Sequence, residues 1–157
     1  MSRTVQNTRK KRKRVVVFGV FDLVHPGHVR FLSYAKRFGD ELVVVLTPDH
    51  RVQQEKGHAP YHTVQERRML LSALKSVDRI VLGDQGKRWT VITRLSPHVL
   101  VLGPDQSADH PAVQQQLRSL PVLPVIKQYR APRSRKHASS TIRATGKRRV
   151  RRGTIVP

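Results

Sequence analysis

The sequence predicts an α/β fold, a single domain built on an open, doubly wound parallel sheet of about five strands. Short apolar runs alternate along the chain with segments of helical periodicity, the pattern of strands covered on both faces by crossover helices. Runs such as Glu41-Leu42-Val43-Val44-Val45-Leu46 are apolar almost throughout. The length, 157 residues, suits one ordinary domain, and a hydrophobic content of 38% suffices for one core.

The first strand is expected at 15–19, followed by a helix over 27–38 with Val29, Leu32 and Ala35 on one stripe and Gly39 as a left-handed stop. A second strand at 41–46 leads into a polar loop, 47–62. Thr63 and Glu66 then form a capping box that starts a helix reaching Ser76. The third strand is Arg79 to Leu82. Past the turn Gly83-Asp84-Gln85-Gly86 a helix is expected over 87–95, with Trp89 packing into the core beside Val91, Ile92 and Leu95. A fourth strand, 98–102, and a helix from Pro111 to Leu120 follow. Pro121 to Ile126 forms a last strand at a sheet edge, where its prolines are tolerated.

The formal net charge is +21, but it is unevenly distributed. Residues 1–14 hold seven Lys or Arg, residues 127–157 hold eleven, and neither stretch has an acid. The body between them carries thirteen basic and ten acidic residues, so it is nearly balanced. The organisation expected is a basic flexible arm at 1–14, a globular domain at 15–145 and a basic tail at 146–157. Such arms make nonspecific contacts with polyanions, and a nucleic-acid binding protein is the non-enzymatic reading of this charge. The N-terminal arm has no aromatic residue to stack on bases. The chain has no cysteine, which excludes disulfides and thiolate metal sites. No apolar run approaches a membrane span, and the short run ending at Asp22 is no signal segment, so a cytoplasmic protein is expected.

The chemistry concentrates where the first strand meets the first helix, at Val16-Val17-Phe18-Gly19-Val20-Phe21-Asp22-Leu23-Val24-His25-Pro26-Gly27-His28. The first amides of a helix lack internal partners and lie at the positive end of its dipole, so they attract anions. Pro26 suits a first helical turn, and Gly27 lets a phosphate oxygen approach the backbone. His25 and His28 are close enough in sequence to reach the same group, and imidazoles donate hydrogen bonds near neutral pH. In an open sheet a ligand sits beyond the carboxyl ends of the strands, where strand order reverses. The Leu102-Gly103-Pro104-Asp105-Gln106 turn lies at another such end.

Gly19-Val20-Phe21-Asp22 with His25-Pro26-Gly27-His28, the loop from Lys56 to Glu66-Arg67, Val77-Asp78 and Gly103-Pro104-Asp105-Gln106 together resemble the cytidylyltransferase-like nucleotidyltransferase family, over residues 15 to about 143. Within that family the H-P-G-H form and the L-G-x-D-Q turn are most similar to the archaeal-type FAD synthases. The resemblance implies a Rossmann-like domain that transfers a nucleoside monophosphate to a phosphate acceptor and releases diphosphate. ATP and FMN are the substrates implied first. CTP with glycerol 3-phosphate, or a similar small polyol or sugar phosphate, is the alternative. Mg2+ supplied with the triphosphate and a homodimer are also implied.

Residue by residue, the resemblance makes His25 and His28 stabilisers of the α-phosphate, and Gly19, Val20, Phe21 and Gly27 the backbone shaped around the phosphates. Lys56 becomes a mobile basic residue on the phosphates, and Arg67 a holder of the acceptor. Asp105 and Gln106 would lie near the nucleobase and ribose. Gln106 stands where cytidylyltransferase relatives tend to carry tryptophan, a departure that favours adenylyl transfer. Asp22 either binds metal or substrate or holds its loop by hydrogen bonds. Ala138-Ser139-Ser140-Thr141-Ile142-Arg143 resembles a second phosphate motif, one spacing residue short. There Ser139, Ser140 and Thr141 would hold a phosphate, and Arg143 would add a forked donor.

Overall fold

A computed structural model describes residues 12–84 and 90–131. In chain order its elements are β1 (Arg14–Gly19), α1 (Pro26–Lys36), β2 (Glu41–Leu46), α2 (Asp49–Lys56), α3 (Val64–Ser72), β3 (Arg79–Leu82), α4 (Thr90–Leu95), β4 (Val99–Leu102), α5 (Pro111–Arg118) and β5 (Val125–Gln128). Every strand pairing is parallel, and the sheet order is β3-β2-β1-β4-β5. This is the expected doubly wound sheet of five strands, with its order reversing between β1 and β4.

Strand alternation sends side chains to two cores. On one face Val15, Val17, Leu42, Val44, Val99 and Val101 pack with Phe31, Leu32 and Ala35 of α1 and Leu71 of α3. On the other, Val16, Val43, Val45, Leu100 and Leu102 meet Val91, Ile92 and Leu95 of α4 and Leu117 of α5. Burial on both sides is why β1, β2 and β4 read as nearly unbroken apolar runs.

Several local expectations change. The segment expected as a polar loop contains α2, a helix that buries only Val52 and so shows no apolar period. Its signals are subtler, with Asp49 in the first turn, Lys56 in the last and Gly57 closing it at φ 71°. The buried stripe of α1 is Phe31, Leu32 and Ala35, with His28 a turn earlier and Val29 turned outward. Gly39 is no left-handed stop; a Cβ there would run into the Lys13 carbonyl, so close approach of backbone requires the glycine. The last strand starts after Pro124 instead of at Pro121, because proline cannot donate to the ladder; its edge position is as expected. The α3 capping box forms as expected, but the helix ends at Ser72. Trp89 and the start expected for its helix lie outside the described residues, as do residues 1–11 of the N-terminal arm and all of the tail.

Candidate active site at the carboxyl ends of β1 and β4

Beyond Gly19 the chain makes a constrained turn in which two non-glycine residues, Phe21 and Leu23, adopt left-handed backbone at φ 51° and 49°. Each such residue costs about 1 kcal/mol or more, so the surroundings must hold the turn in place. Three contacts do. The Phe21 ring is buried and stacks against Phe31. Arg67 Nη1 donates to the Val20 carbonyl at 2.5 Å. The buried Asp22 carboxylate accepts the N–H groups of Leu23 at 3.1 Å, Tyr61 at 2.8 Å and His62 at 3.0 Å. Of the two readings of Asp22, these bonds match the loop-holding one, and they fasten the loop before α3 to the turn.

The turn delivers His25 and His28. His25 caps α1, and its Nδ1 accepts the Gly27 N–H at 3.1 Å. An acceptor Nδ1 puts the proton of a neutral ring on Nε2, leaving that edge as a donor. A Cβ on Gly27 would stand 2.7 Å from His25 Cε1, so glycine is required here by the ring. The His28 ring stacks on His25 at 3.9 Å between centroids and meets Phe21 edge-on at 5.3 Å. Its Nδ1 is buried and has no hydrogen-bond partner among the described residues. Burial, then the neighbouring charges of His25 and Lys56, push the His28 pKa from 6.5 down to about 4. His28 is therefore neutral at physiological pH.

Lys56 is at the C-terminal end of α2, exposed to solvent, and its ammonium is near enough to influence His28. The expected mobile-loop lysine is thus carried on a helix. Arg67 departs further from expectation. It is 0% exposed, and its guanidinium donates to the carbonyls of Val20, Thr47 and His62 and to Asp49 Oδ1. Those four acceptors take four of its five N–H donors, and with the side chain fully buried Arg67 braces the site from inside the protein.

Across the switch point, Gln106 is bonded to the fold. Its Oε1 accepts the Gly103 N–H at 2.8 Å, and its Nε2 donates to the Phe18 carbonyl at 3.1 Å. It ties the ends of β4 and β1 together, where nucleobase contact was expected. Gln128 supports the same turn by donating to the Gly103 carbonyl at 2.7 Å. Asp105 is exposed on that turn. Ser139, Ser140, Thr141 and Arg143 lie outside the described residues. The structure thus gathers Gly19, Val20, Phe21, Asp22, His25, Gly27 and His28 into one turn. It adds Asp49, Tyr61, His62 and Gln128, which sequence reasoning missed. The Pro48-Asp49 helix start was the one available signal, and the polar composition of α2 masked it.

The model of the cytidylyltransferase-like family matches residues 16–145. The chain is 43% identical over 112 residues to a protein named FAD synthase from Thermococcus sibiricus, an alignment covering 71% of this chain and 76% of that one. It is 42% identical to the protein of the same name from Pyrococcus abyssi, over 70% of this chain and 75% of the relative. Among solved structures, the lipopolysaccharide core biosynthesis protein of Thermoplasma volcanium GSS1 superposes with a TM-score of 0.70 at 34% identity, covering 78% of this chain and 99% of that one. The pantoate-beta-alanine ligase of Francisella tularensis, at 17% identity and a TM-score of 0.57 over 88% of this chain and 67% of its own, shares the fold. With the stacked histidine pair at the mouth of a five-stranded parallel sheet and a family match over most of its length, the chain belongs to the cytidylyltransferase-like nucleotidyltransferases.

Proposed function

We propose that this nucleotidyltransferase is an FAD synthase, which joins the adenylyl group of ATP to FMN and releases diphosphate. The observation that carries the reading is the stacked His25–His28 pair at the N-terminus of α1, in a chain 37–43% identical to archaeal relatives of that name. An oxygen of the FMN phosphate attacks the α-phosphorus of ATP. A new P–O bond forms as the bond to the oxygen bridging the β-phosphate breaks, and diphosphate leaves with that electron pair. A phosphomonoester is mostly dianionic near pH 7, so no strong general base is needed. The protein's work is in-line positioning and stabilisation of charge on the equatorial oxygens.

His25 supplies that stabilisation through its Nε2–H, fixed by the Gly27 bond. His28 and Lys56 complete the α-phosphate site, with Gly19, Val20, Phe21 and Gly27 as its backbone. Asp105 lies beside the nucleoside. Ser139, Ser140, Thr141 and Arg143 retain their proposed role on the outer phosphates. Among the described residues no three metal-ligating side chains converge. We take a divalent cation to enter as part of the nucleotide substrate, and to be Mg2+, which keeps several waters and binds through phosphates. No helix among the described residues is long and apolar enough to cross a membrane, which is compatible with a cytoplasmic reaction. A homodimer and polyanion contacts through the basic arms complete the proposal.

The test is diphosphate release measured for ATP and CTP against FMN and glycerol 3-phosphate. Turnover confined to ATP with FMN is expected. Turnover with CTP and the polyol phosphate, or with no pair while tight, salt-sensitive nucleic-acid binding persists, refutes the reading.

A further inference from the structure

Tyr61 is 73% exposed, and neither hydrophobic core includes it. Yet the backbone beneath it is among the better tied in the molecule. Its own N–H and that of His62 both donate to the carboxylate of Asp22, bonds strengthened by the charge of the acceptor. Arg67 Nε donates to the His62 carbonyl at 3.2 Å, and Thr63 opens the α3 capping box immediately afterwards. The His62 ring stands edge-on to Tyr61 at 5.1 Å, with its Nδ1 3.6 Å from Asp22 Oδ1. A large exposed aromatic side chain is therefore held, through its backbone and Asp22, against the turn that carries both histidines. Fixed backbone under an exposed aromatic ring lowers the entropy lost when that ring meets a ligand.

The acceptor's chemistry fits this location. Its phosphate must reach the α-phosphate at His25 and His28, and in a flavin phosphate a five-carbon ribityl chain separates that group from the ring system. The ring then falls several bonds away from the histidine pair, outside the phosphate site itself. Resting on the FAD synthase reading, we propose that Tyr61 is the stacking surface for the flat aromatic ring of the acceptor, and so the residue that favours a flavin phosphate over an acyclic polyol phosphate. Asp22 is its positioning residue, acting through the backbone of Tyr61 and His62.

The experiment compares Tyr61→Leu and Tyr61→Phe with the wild-type enzyme. The expected result is a KM for FMN raised about tenfold in Tyr61→Leu, retained in Tyr61→Phe, with the KM for ATP unchanged in both. A second readout is the quenching of FMN fluorescence on binding with a non-reactive ATP analogue, expected to weaken in Tyr61→Leu alone. Both variants should melt as the wild type does, because the side chain is exposed. A Tyr61→Leu enzyme with wild-type FMN affinity and quenching overturns the proposal while leaving the FAD synthase reading intact. Failure of the wild-type enzyme to make FAD overturns both.

Discussion

Gly27 and His25 form a single unit: the glycine N–H donates to Nδ1 of the ring at 3.1 Å, and a Cβ on the glycine would stand 2.7 Å from Cε1 of the same ring. The bond caps α1 and fixes the tautomer in which His25 presents Nε2–H. The close approach makes alanine incompatible with that ring position. Gly27→Ala is therefore expected to displace His25, reducing stability by about 1 kcal/mol through the lost cap. Turnover should fall about 100-fold through misplacement of the ring. A thermal melt and steady-state diphosphate release read the two effects; wild-type turnover would show that the ring's position is immaterial.

His28 makes the protein sensitive to acid. In the unfolded chain it takes up a proton near pH 6.5, whereas in the fold burial and the charges of His25 and Lys56 hold protonation off to about pH 4. Between those values the unfolded state binds more protons, so this residue's contribution to stability falls as pH drops from 6.5 to 4 and is flat above. An NMR titration of the imidazole should find His28 neutral at pH 6 in the free enzyme. Lys56→Met should raise its midpoint by removing a positive neighbour. A midpoint at 6.5 would contradict the geometry of the pair.

If His28 acts at the α-phosphate as proposed, His28→Ala is expected to lower kcat by about 100- to 1,000-fold. The fold should persist, because among the described residues the ring's buried Nδ1 makes no hydrogen bond that the core would lose. Circular dichroism and single-turnover kinetics together check this. Wild-type FAD formation by a folded variant would remove His28 from the mechanism.

Arg67 and Asp49 form an ion pair at 2.5 Å, with the guanidinium fully buried. Arg67→Met leaves Asp49 and three carbonyls without their donor, and is expected to destabilise the protein by about 3 kcal/mol. Because one of those carbonyls belongs to Val20, activity should fall together with the melting temperature. An acceptor-binding arginine would behave differently, raising the KM for FMN with the melt unchanged.

Gln106→Leu tests the bridge between β4 and β1. It removes the acceptor of the Gly103 N–H and the amide donor to the Phe18 carbonyl, at a cost of about 1–3 kcal/mol. The KM for ATP should rise with that loss of stability, as measured by denaturant unfolding and initial rates. A raised KM at unchanged stability would return Gln106 to direct contact with the nucleobase.

These cases divide what was legible in the chain from what was not. The H-P-G-H helix start, the Thr63–Glu66 capping box and the strands at Val15–Phe18 and Leu42–Leu46 depend on groups within a few residues of one another. Periodicity and spacing report them directly. Arg67 was cast as a holder of the acceptor by the family resemblance of the Glu66-Arg67 pair, a role that needs an exposed guanidinium. Nothing in its neighbourhood announces Asp49 on another helix, or the Val20 and Thr47 carbonyls at two strand ends. Gln106 and Asp22 misled or stayed ambiguous for the same reason, since an amide or a carboxylate serves a ligand and a backbone equally well.

By itself the sequence determined the doubly wound sheet and the place of the turn that carries His25 and His28, which follow from local hydrogen bonding and the period of apolar residues, while its motifs carried the resemblance to the family. Only the tertiary structure decided that Arg67 and Gln106 hold the protein together, that Asp22 carries the loop bearing Tyr61, and that His28 is neutral. Each of these depends on which polar groups meet after the chain closes on itself, and on how much water that closure excludes.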